Sequence, residues 1–175
     1  MTRSELASKI YACSHLTGSF LLRSGKTSDE YFDKYQFESD PVVLRAIAKE
    51  MAPLVPRNTD YLGALEMGGI PIATALSFET GIPVVFVRKS AKDYGTCKFA
   101  EGPAIKGKRL TLIEDVITTG GQVVISCADL RDEGAMIENV LCVIDRSEGQ
   151  SGKIHDAGLS LKALFTMAEL KKHAH

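Results

Sequence analysis

Leu110–Thr111–Leu112–Ile113–Glu114–Asp115–Val116–Ile117–Thr118–Thr119–Gly120–Gly121 changes character three times within twelve residues. An apolar strand, read as Arg109–Ile113, ends in two adjacent carboxylates, and a small turn rich in hydroxyls and glycine follows. Gln122 to Leu130 then sets Val123, Val124, Cys127 and Leu130 at helical spacing, so the turn opens a helix. A helix start offers unpaired N–H groups and a partial positive charge, which together bind phosphate. Glu114 and Asp115 repel such an anion unless a neutral polyol or a metal ion lies between. A sugar phosphate with a vicinal diol fits, and Mg²⁺ is the natural companion of further phosphates. The plainer alternative is a strand ending in solvated acids and an ordinary turn.

Working outward, the flanking pattern is regular. Tyr61–Leu65 reads as a strand, Pro71–Phe78 as a helix, Pro83–Val87 as a strand, Gln122–Glu133 as a helix and Glu138–Ile144 as a strand. Short apolar strands alternating with helices predict an α/β fold whose central, mainly parallel sheet is covered on both faces. Ligands bind such sheets at the carboxyl ends of the strands, where the turn after Ile113 lies.

The N-terminal part differs. Thr2 and Glu5 make a capping box for a helix carrying Leu6, Ile10, Cys13 and Leu16 as far as Gly18. Phe20–Arg23 and Tyr31–Phe37 read as short strands joined by the turn Ser24–Glu30, a small hood over about residues 18–40. Asp40 and Pro41 start a further helix with Val43, Leu44, Ile47, Ala48 and Met51 buried, stopped by Pro53 and Pro56. Near the end, Thr166 and Glu169 form a second capping box.

The 175 residues are about one domain's length, and 45% hydrophobic residues suffice for a core, so residues 1–175 are expected to form a single domain. Lys and Arg number 21 against 22 Asp and Glu, so no global field draws the chain to nucleic acid or to anionic lipid. No apolar run approaches a membrane span and the N-terminus has no signal-like pattern, which points to a cytoplasmic protein. Cys13, Cys97, Cys127 and Cys142 have no zinc spacing and are expected to stay reduced.

Three further stretches bear on chemistry. Ser24–Gly25–Lys26–Thr27 is not a nucleotide-binding P-loop, because Phe20 stands where that motif needs glycine. Gly68–Gly69–Ile70–Pro71 follows a strand and opens a helix, so it offers a second set of N–H groups suited to a pyrophosphate. Arg88–Lys89–Ser90–Ala91–Lys92–Asp93–Tyr94–Gly95–Thr96 gathers three cations at a strand end, within a long segment of about 88–107. A mobile basic loop there can close over a polyphosphate and stabilise charge on a leaving group.

Taken together these segments resemble a known family. Glu114 to Gly121 is similar to the phosphoribosyl pyrophosphate signature of type I phosphoribosyltransferases. Phe20 to Ser28, Tyr31–Phe32–Asp33, the loop from Arg88 to Gly95 and Asp145–Arg146 resemble, within that group, the orotate phosphoribosyltransferases. The matches run in order from Phe20 to Arg146.

The resemblance implies transfer of phosphoribose from phosphoribosyl pyrophosphate to orotate, giving orotidine 5′-phosphate and pyrophosphate with Mg²⁺ in pyrimidine synthesis. It implies that Thr118, Thr119, Gly120 and Gly121 hold the 5-phosphate and that Glu114 and Asp115 bind the ribose hydroxyls, with Mg²⁺ carried by the substrate near these acids. Arg23, Tyr31, Phe32, Thr118 and Arg146 match base-contacting positions, and Arg88, Lys89 and Lys92 match the pyrophosphate loop. The catalytic assignment falls on Lys92, Arg88 and Asp115, in a homodimer that shares the loop around Arg88–Lys92. The chain departs from the family at Gly68, where many members carry lysine, at Tyr94 in place of histidine, and at Arg23 in place of lysine. Two alternatives stay open: a phosphoribosyltransferase for a purine or for uracil, and a non-catalytic regulator that senses phosphoribosyl pyrophosphate.

Overall fold

Glu5 donates its N–H to Thr2 Oγ1 at 3.2 Å and Thr2 its N–H to Glu5 Oε2 at 2.7 Å, and this capping box starts helix α1 (Arg3–Ser14). The computed structural model describes residues 1–21, 25–90, 99–147, 149 and 152–173. Helix α1 stops short of Gly18, because His15 is already extended and begins strand β1 (His15–Leu21). Strand β1 pairs antiparallel with β2 (Thr27–Phe32), with His15 opposite Phe32 and Leu16 opposite Tyr31.

The strand expected over Tyr31–Phe37 is corrected. Strand β2 ends at Phe32, and Asp33 caps a helix, α2 (Lys34–Ser39), by accepting the Tyr35 N–H at 3.1 Å. The aromatic residues favour a strand, but the cap and the full burial of Phe37 decide for a helix. Asp40 then accepts N–H bonds from Val42 at 2.8 Å and Val43 at 3.1 Å to start α3 (Pro41–Met51), which ends in a 3₁₀ turn containing Pro53.

The rest of the chain is β3 (Tyr61–Leu65), α4 (Gly69–Thr80), β4 (Val84–Val87), β5 (Ala100–Glu101), β6 (Arg109–Ile117), α5 (Gly121–Asp132), β7 (Met136–Asp145), α6 (Gly152–Asp156), β8 (Ser160–Thr166) and α7 (Met167–Lys172). These strands form one sheet in the order β5-β4-β3-β6-β7-β8, parallel except for β5. Strand β5 interrupts the long segment expected to be loop, since Phe86 pairs with Glu101 and Val87 with Ala100. Strand β6 runs four residues beyond Ile113, so the two acids lie inside the strand.

The strand order places the site. From β3 the chain moves outward through β4 to β5, then returns to the other side of β3 and moves outward through β6, β7 and β8. The direction reverses between β3 and β6, and a crevice opens at the carboxyl ends of strands at such a reversal. Ladder pairing of β3 with β6 ends at Ala64 and Ile113, while β6 continues beside β7 as far as Ile117 and Asp145. The β3-facing edge of residues 114–117 is thus left for the turn that follows β3.

Alternation along the strands feeds two cores. Ile113, Leu141 and Val143 pack with α1, α3 and α4 on one face, through Leu6, Ile47 and Leu76. Leu112, Val140 and Cys142 pack on the other against Val123, Cys127 and Leu130 of α5 and Ile154 of α6. Each such side chain, when fully buried, contributes about 1.5–3 kcal/mol. Helices α1 and α7 close one side, Arg3 lying 4.3 Å over the Phe165 ring and 3.2 Å from Glu169.

Candidate active site

The turn after β6 leads into a helix start that no side chain caps. Gly120 adopts φ +70° and begins α5 without any side-chain cap, so the first N–H groups of the helix are not taken by a side chain. A β-carbon on Gly120 would lie 2.6 Å from Ile154, so the position needs glycine for space as well as for conformation. Thr118 and Thr119 are exposed beside it. Gly68 likewise opens α4 without a side-chain cap.

The two turns meet through an acid. A β-carbon on Gly69 would lie 2.2 Å from the Ile113 carbonyl oxygen, and one on Gly68 would lie 1.5 Å from Oδ2 of Asp115. Asp115 is 1% exposed, and it accepts the Val116 N–H and the ammonium of Lys34 from α2. Glu114 is half-buried, and its Oε1 accepts the Asp115 N–H at 3.1 Å. Glu38, one helical turn after Lys34, is buried beside them, and its Oε1 has no hydrogen-bond partner among the described residues.

Charge in this cluster is divided unevenly. Burial, followed by the neighbouring Asp115 carboxylate, pushes both Glu38 and Glu114 up to about 9. Burial acts against the charge on Asp115 as well, but hydrogen bonds from Glu114, Glu38 and Lys34 outweigh it and hold that carboxyl below its usual range. Burial lowers the affinity of Lys34 for its proton, and the contact with Asp115 reverses this, so the ammonium is held above its usual range. The charge of the cluster is thus concentrated on the Asp115–Lys34 pair.

A cavity of about 320 Å³ opens beside this point, lined by Tyr31, Phe32, Thr118 and Arg146 together with Tyr11, His15, Ser28, Glu30, Met167 and Lys171. The sheet register explains the meeting of Thr118 and Arg146. Ile117 pairs with Asp145, and the Arg146 N–H donates to the Ile117 carbonyl at 2.8 Å, so the residues after the two strands are neighbours. The Arg146 guanidinium lies 5.9 Å from the centre of the Phe32 ring. His15 stacks on Tyr11 at 4.9 Å and bonds Glu30 at 2.7 Å, which fixes the back wall.

Arg88 and Lys89 stand at the carboxyl end of β4. The Arg88 N–H donates to the Phe99 carbonyl at 3.0 Å, and the Lys89 N–H donates to Glu66 in the turn after β3. The basic segment therefore leaves and rejoins the sheet edge next to the Gly68 turn. Arg23 and Lys92 lie outside the described residues, as do Tyr94 and Cys97. Lys26 sits in the hairpin turn before β2, not between a strand and a helix, in keeping with the exclusion of a P-loop.

Sequence reasoning missed Lys34 and Glu38. Their spacing of four would have set them on one helical face, but reading the segment as a strand hid that signal. Tyr11, His15, Met167 and Lys171 were missed because they come from the two ends of the chain, which only the packing of α1 and α7 brings to the cavity.

A divalent cation has no ready-made protein cage here. Among the described residues no group of three or more His, Cys, Asp or Glu side chains is arranged to hold a metal. Asp115 is engaged by Lys34, and Glu114 holds a proton. A hard cation that takes most of its oxygens from phosphates, hydroxyls and water fits this site better than one bound by the protein alone.

No family model matches the chain. The orotate phosphoribosyltransferase of Nocardioides sp. is 54% identical over 167 residues, covering 95% of this chain and 93% of that protein. The crystal structure of Mycobacterium tuberculosis orotate phosphoribosyltransferase in complex with Fe(III) dicitrate superposes with a TM-score of 0.86 at 30% identity, covering 96% of this chain and 98% of that one. The same enzyme in complex with 5-phospho-α-D-ribosyl 1-diphosphate superposes with a TM-score of 0.81 at 27% identity, covering 97% and 98% of the two chains.

Proposed function

The chain belongs to the orotate phosphoribosyltransferase family, and from this premise we propose how its residues divide the work. It transfers the phosphoribosyl group of phosphoribosyl pyrophosphate to orotate, yielding orotidine 5′-phosphate and pyrophosphate in pyrimidine biosynthesis. The observation that carries the division of roles is the meeting of the Gly68 turn, the acidic end of β6 and the Gly120 helix start in one crevice, beside a cavity with aromatic and cationic walls.

In our reading the free N–H groups at Gly121 and after it, with the Thr118 and Thr119 hydroxyls, hold the 5-phosphate. Glu114 and Asp115 take the ribose hydroxyls. Orotate lies on Phe32 and Tyr31, its negative charge answered by Arg146 and by Arg23. Its ring nitrogen bonds to C1 of the ribose while the bond from C1 to pyrophosphate breaks, the electron pair leaves on the diphosphate oxygen, and the proton released from the nitrogen passes to the departing pyrophosphate or to water. Positive charge develops on the sugar and negative charge on the leaving group, as in glycosyl transfer generally.

Arg88, Lys89 and Lys92 receive that departing charge. Mg²⁺ would be held chiefly by the substrate's own phosphates near Glu114 and Asp115, where it would supply positive charge to the diphosphate. We place the reaction in the cytoplasm, which agrees with the free Cys13, Cys127 and Cys142. Among the described residues no helix is long and apolar enough to cross a membrane.

The homodimer is also proposed. It is supported by Phe78, 85% exposed on α4, and by an apolar groove of about 650 Å³ between α3 and α4 lined by Leu44, Pro71, Ala75 and Phe78. Mixing Lys92→Ala and Asp115→Asn proteins, each impaired in turnover on its own, tests the shared loop. Recovered turnover of orotate in the mixture supports loops that cross between subunits, and none at all argues for self-contained sites.

A further inference from the structure

Lys34 reaches Asp115 across 81 positions of sequence, and it does so from the helix that directly follows the hairpin. Phe32, which borders the base cavity, stands two residues before Lys34. Asp115 belongs to the strand end that carries the sugar-binding turn. The oxygen of Asp115 that holds Lys34 is the same Oδ2 that occupies the space in front of Gly68. One ion pair therefore ties the part that holds the base to the part that holds the sugar and its diphosphate.

We propose that Lys34 is a positioning residue for phosphoribosyl transfer, setting the hood against the end of β6 through Asp115 so that the ring nitrogen of the base meets C1 of the ribose. This inference rests on the orotate phosphoribosyltransferase reading above. Its weight comes from how few other ties have the same effect. The Asp33 N–H bonds the Ser14 carbonyl at 2.8 Å, which joins the hairpin to α1 and not to the sugar site. The contact of Arg146 with Phe32 spans 5.9 Å and is mainly electrostatic. Lys34 gives this region a cationic hydrogen bond to the acidic end of β6, and the neighbouring Glu38 carboxyl bonds the same acid.

Glu38 suits the same purpose. Lying buried one turn beyond Lys34 and carrying a proton, it adds no second negative charge to compete for the ammonium. Gly68 packs directly against the acid of the pair, since a β-carbon there would lie 1.5 Å from Oδ2 of Asp115. Misplacement of reacting groups by about 1 Å can cost about 10²-fold in rate, which sets the scale of the expected effect.

The experiment is a double-mutant cycle with steady-state kinetics on Lys34→Met, Lys34→Arg, Asp115→Asn and the Lys34→Met/Asp115→Asn double variant, each checked by thermal melting. Orotate turnover by the unaltered protein comes first. Its absence would refute the functional reading, and the cycle addresses only Lys34. We expect Lys34→Met to lower kcat by about 30- to 100-fold with KM for both substrates within about threefold. Lys34→Arg should restore kcat to within about fivefold of the unaltered protein, because it returns the charge and a donor.

In the Asp115→Asn background, Lys34→Met should change kcat by less than about threefold, since the partner through which it acts is gone. An unchanged kcat in Lys34→Met overturns the proposal. So do losses that multiply in the double variant, which would show Lys34 acting on substrate by itself. If Lys34→Met does not fold, the comparison of Asp115→Asn with the double variant, which leaves no buried charge unpaired, decides the matter in the same way.

Discussion

Gly68 and Asp115 share one space: Oδ2 of the acid lies 1.5 Å from where a β-carbon on the glycine would be. The carboxylate cannot swing aside freely, because Lys34 and the Val116 N–H hold it. We expect Gly68→Ala to push Asp115 off its partners, at a stability cost of about 1–3 kcal/mol for the broken charged bonds. Turnover should fall at least about tenfold, as orotate consumption and a thermal melt on the same preparation will read. Full activity with an unchanged melting temperature would contradict the packing described.

Arg146 lines the cavity beside Phe32 and is proposed to answer the charge of the base. Removing a charged hydrogen bond costs about 1.5–3 kcal/mol, so Arg146→Ala should raise KM for orotate by about 10- to 100-fold. KM for phosphoribosyl pyrophosphate should stay within about threefold, because the phosphate turn is built from other residues. Initial rates over a grid of both substrates separate the two. An effect confined to the phosphorylated sugar would place Arg146 elsewhere in the reaction.

The buried carboxyls make stability depend on pH. Burial, then the Asp115 charge, pushes Glu38 and Glu114 up to about 9, against an ordinary 4.5, so between these values the folded chain binds more protons than the unfolded one. Their contribution is complete below about 4.5 and is lost as pH rises towards 9. Asp115, shifted down, loses its contribution only as pH falls below its ordinary 3.8, and Lys34, shifted up, only as pH rises above its ordinary 10.5. Glu38→Gln keeps the neutral shape and removes one titration. The fall in melting temperature from about pH 6 to about pH 9 should therefore be smaller in Glu38→Gln than in the unaltered protein, by a few degrees. Identical slopes would show that Glu38 is ionised in the folded state.

Phe78 tests the proposed dimer. Phe78→Asp places a charge on the apolar patch of α4, where the ring is 85% exposed, and is expected to leave the fold intact and shift sedimentation towards a monomer. Unchanged sedimentation as a dimer would remove this face from the interface.

Much of the sheet is legible in the sequence, because β3, β4, β6 and β7 are short, largely apolar runs, most of them well buried, at regular spacing between helices. The turn that opens α5, proposed to hold the sugar phosphate, is legible as a turn for the same local reason. The acids were placed at the strand's end, yet β6 continues to Ile117 because β7 pairs with it there, a partnership that local pattern does not report. Helix α2 reads as a strand because the aromatic residues Tyr31, Phe32, Tyr35 and Phe37 favour one, and only the Asp33 cap and the burial of Phe37 reverse that preference. Lys34 was lost with it. Met167 and Lys171 illustrate a different limit, since no local signal in a terminal helix says which cavity it will border.

The most direct measurement is the loss of orotate absorbance when purified protein is mixed with orotate, phosphoribosyl pyrophosphate and Mg²⁺, run beside the same mixture with adenine, hypoxanthine, guanine or uracil in place of orotate. The account expects orotidine 5′-phosphate and pyrophosphate to form in equal amounts and the other bases to be left unchanged. Conversion of a purine or of uracil while orotate stays intact would contradict it.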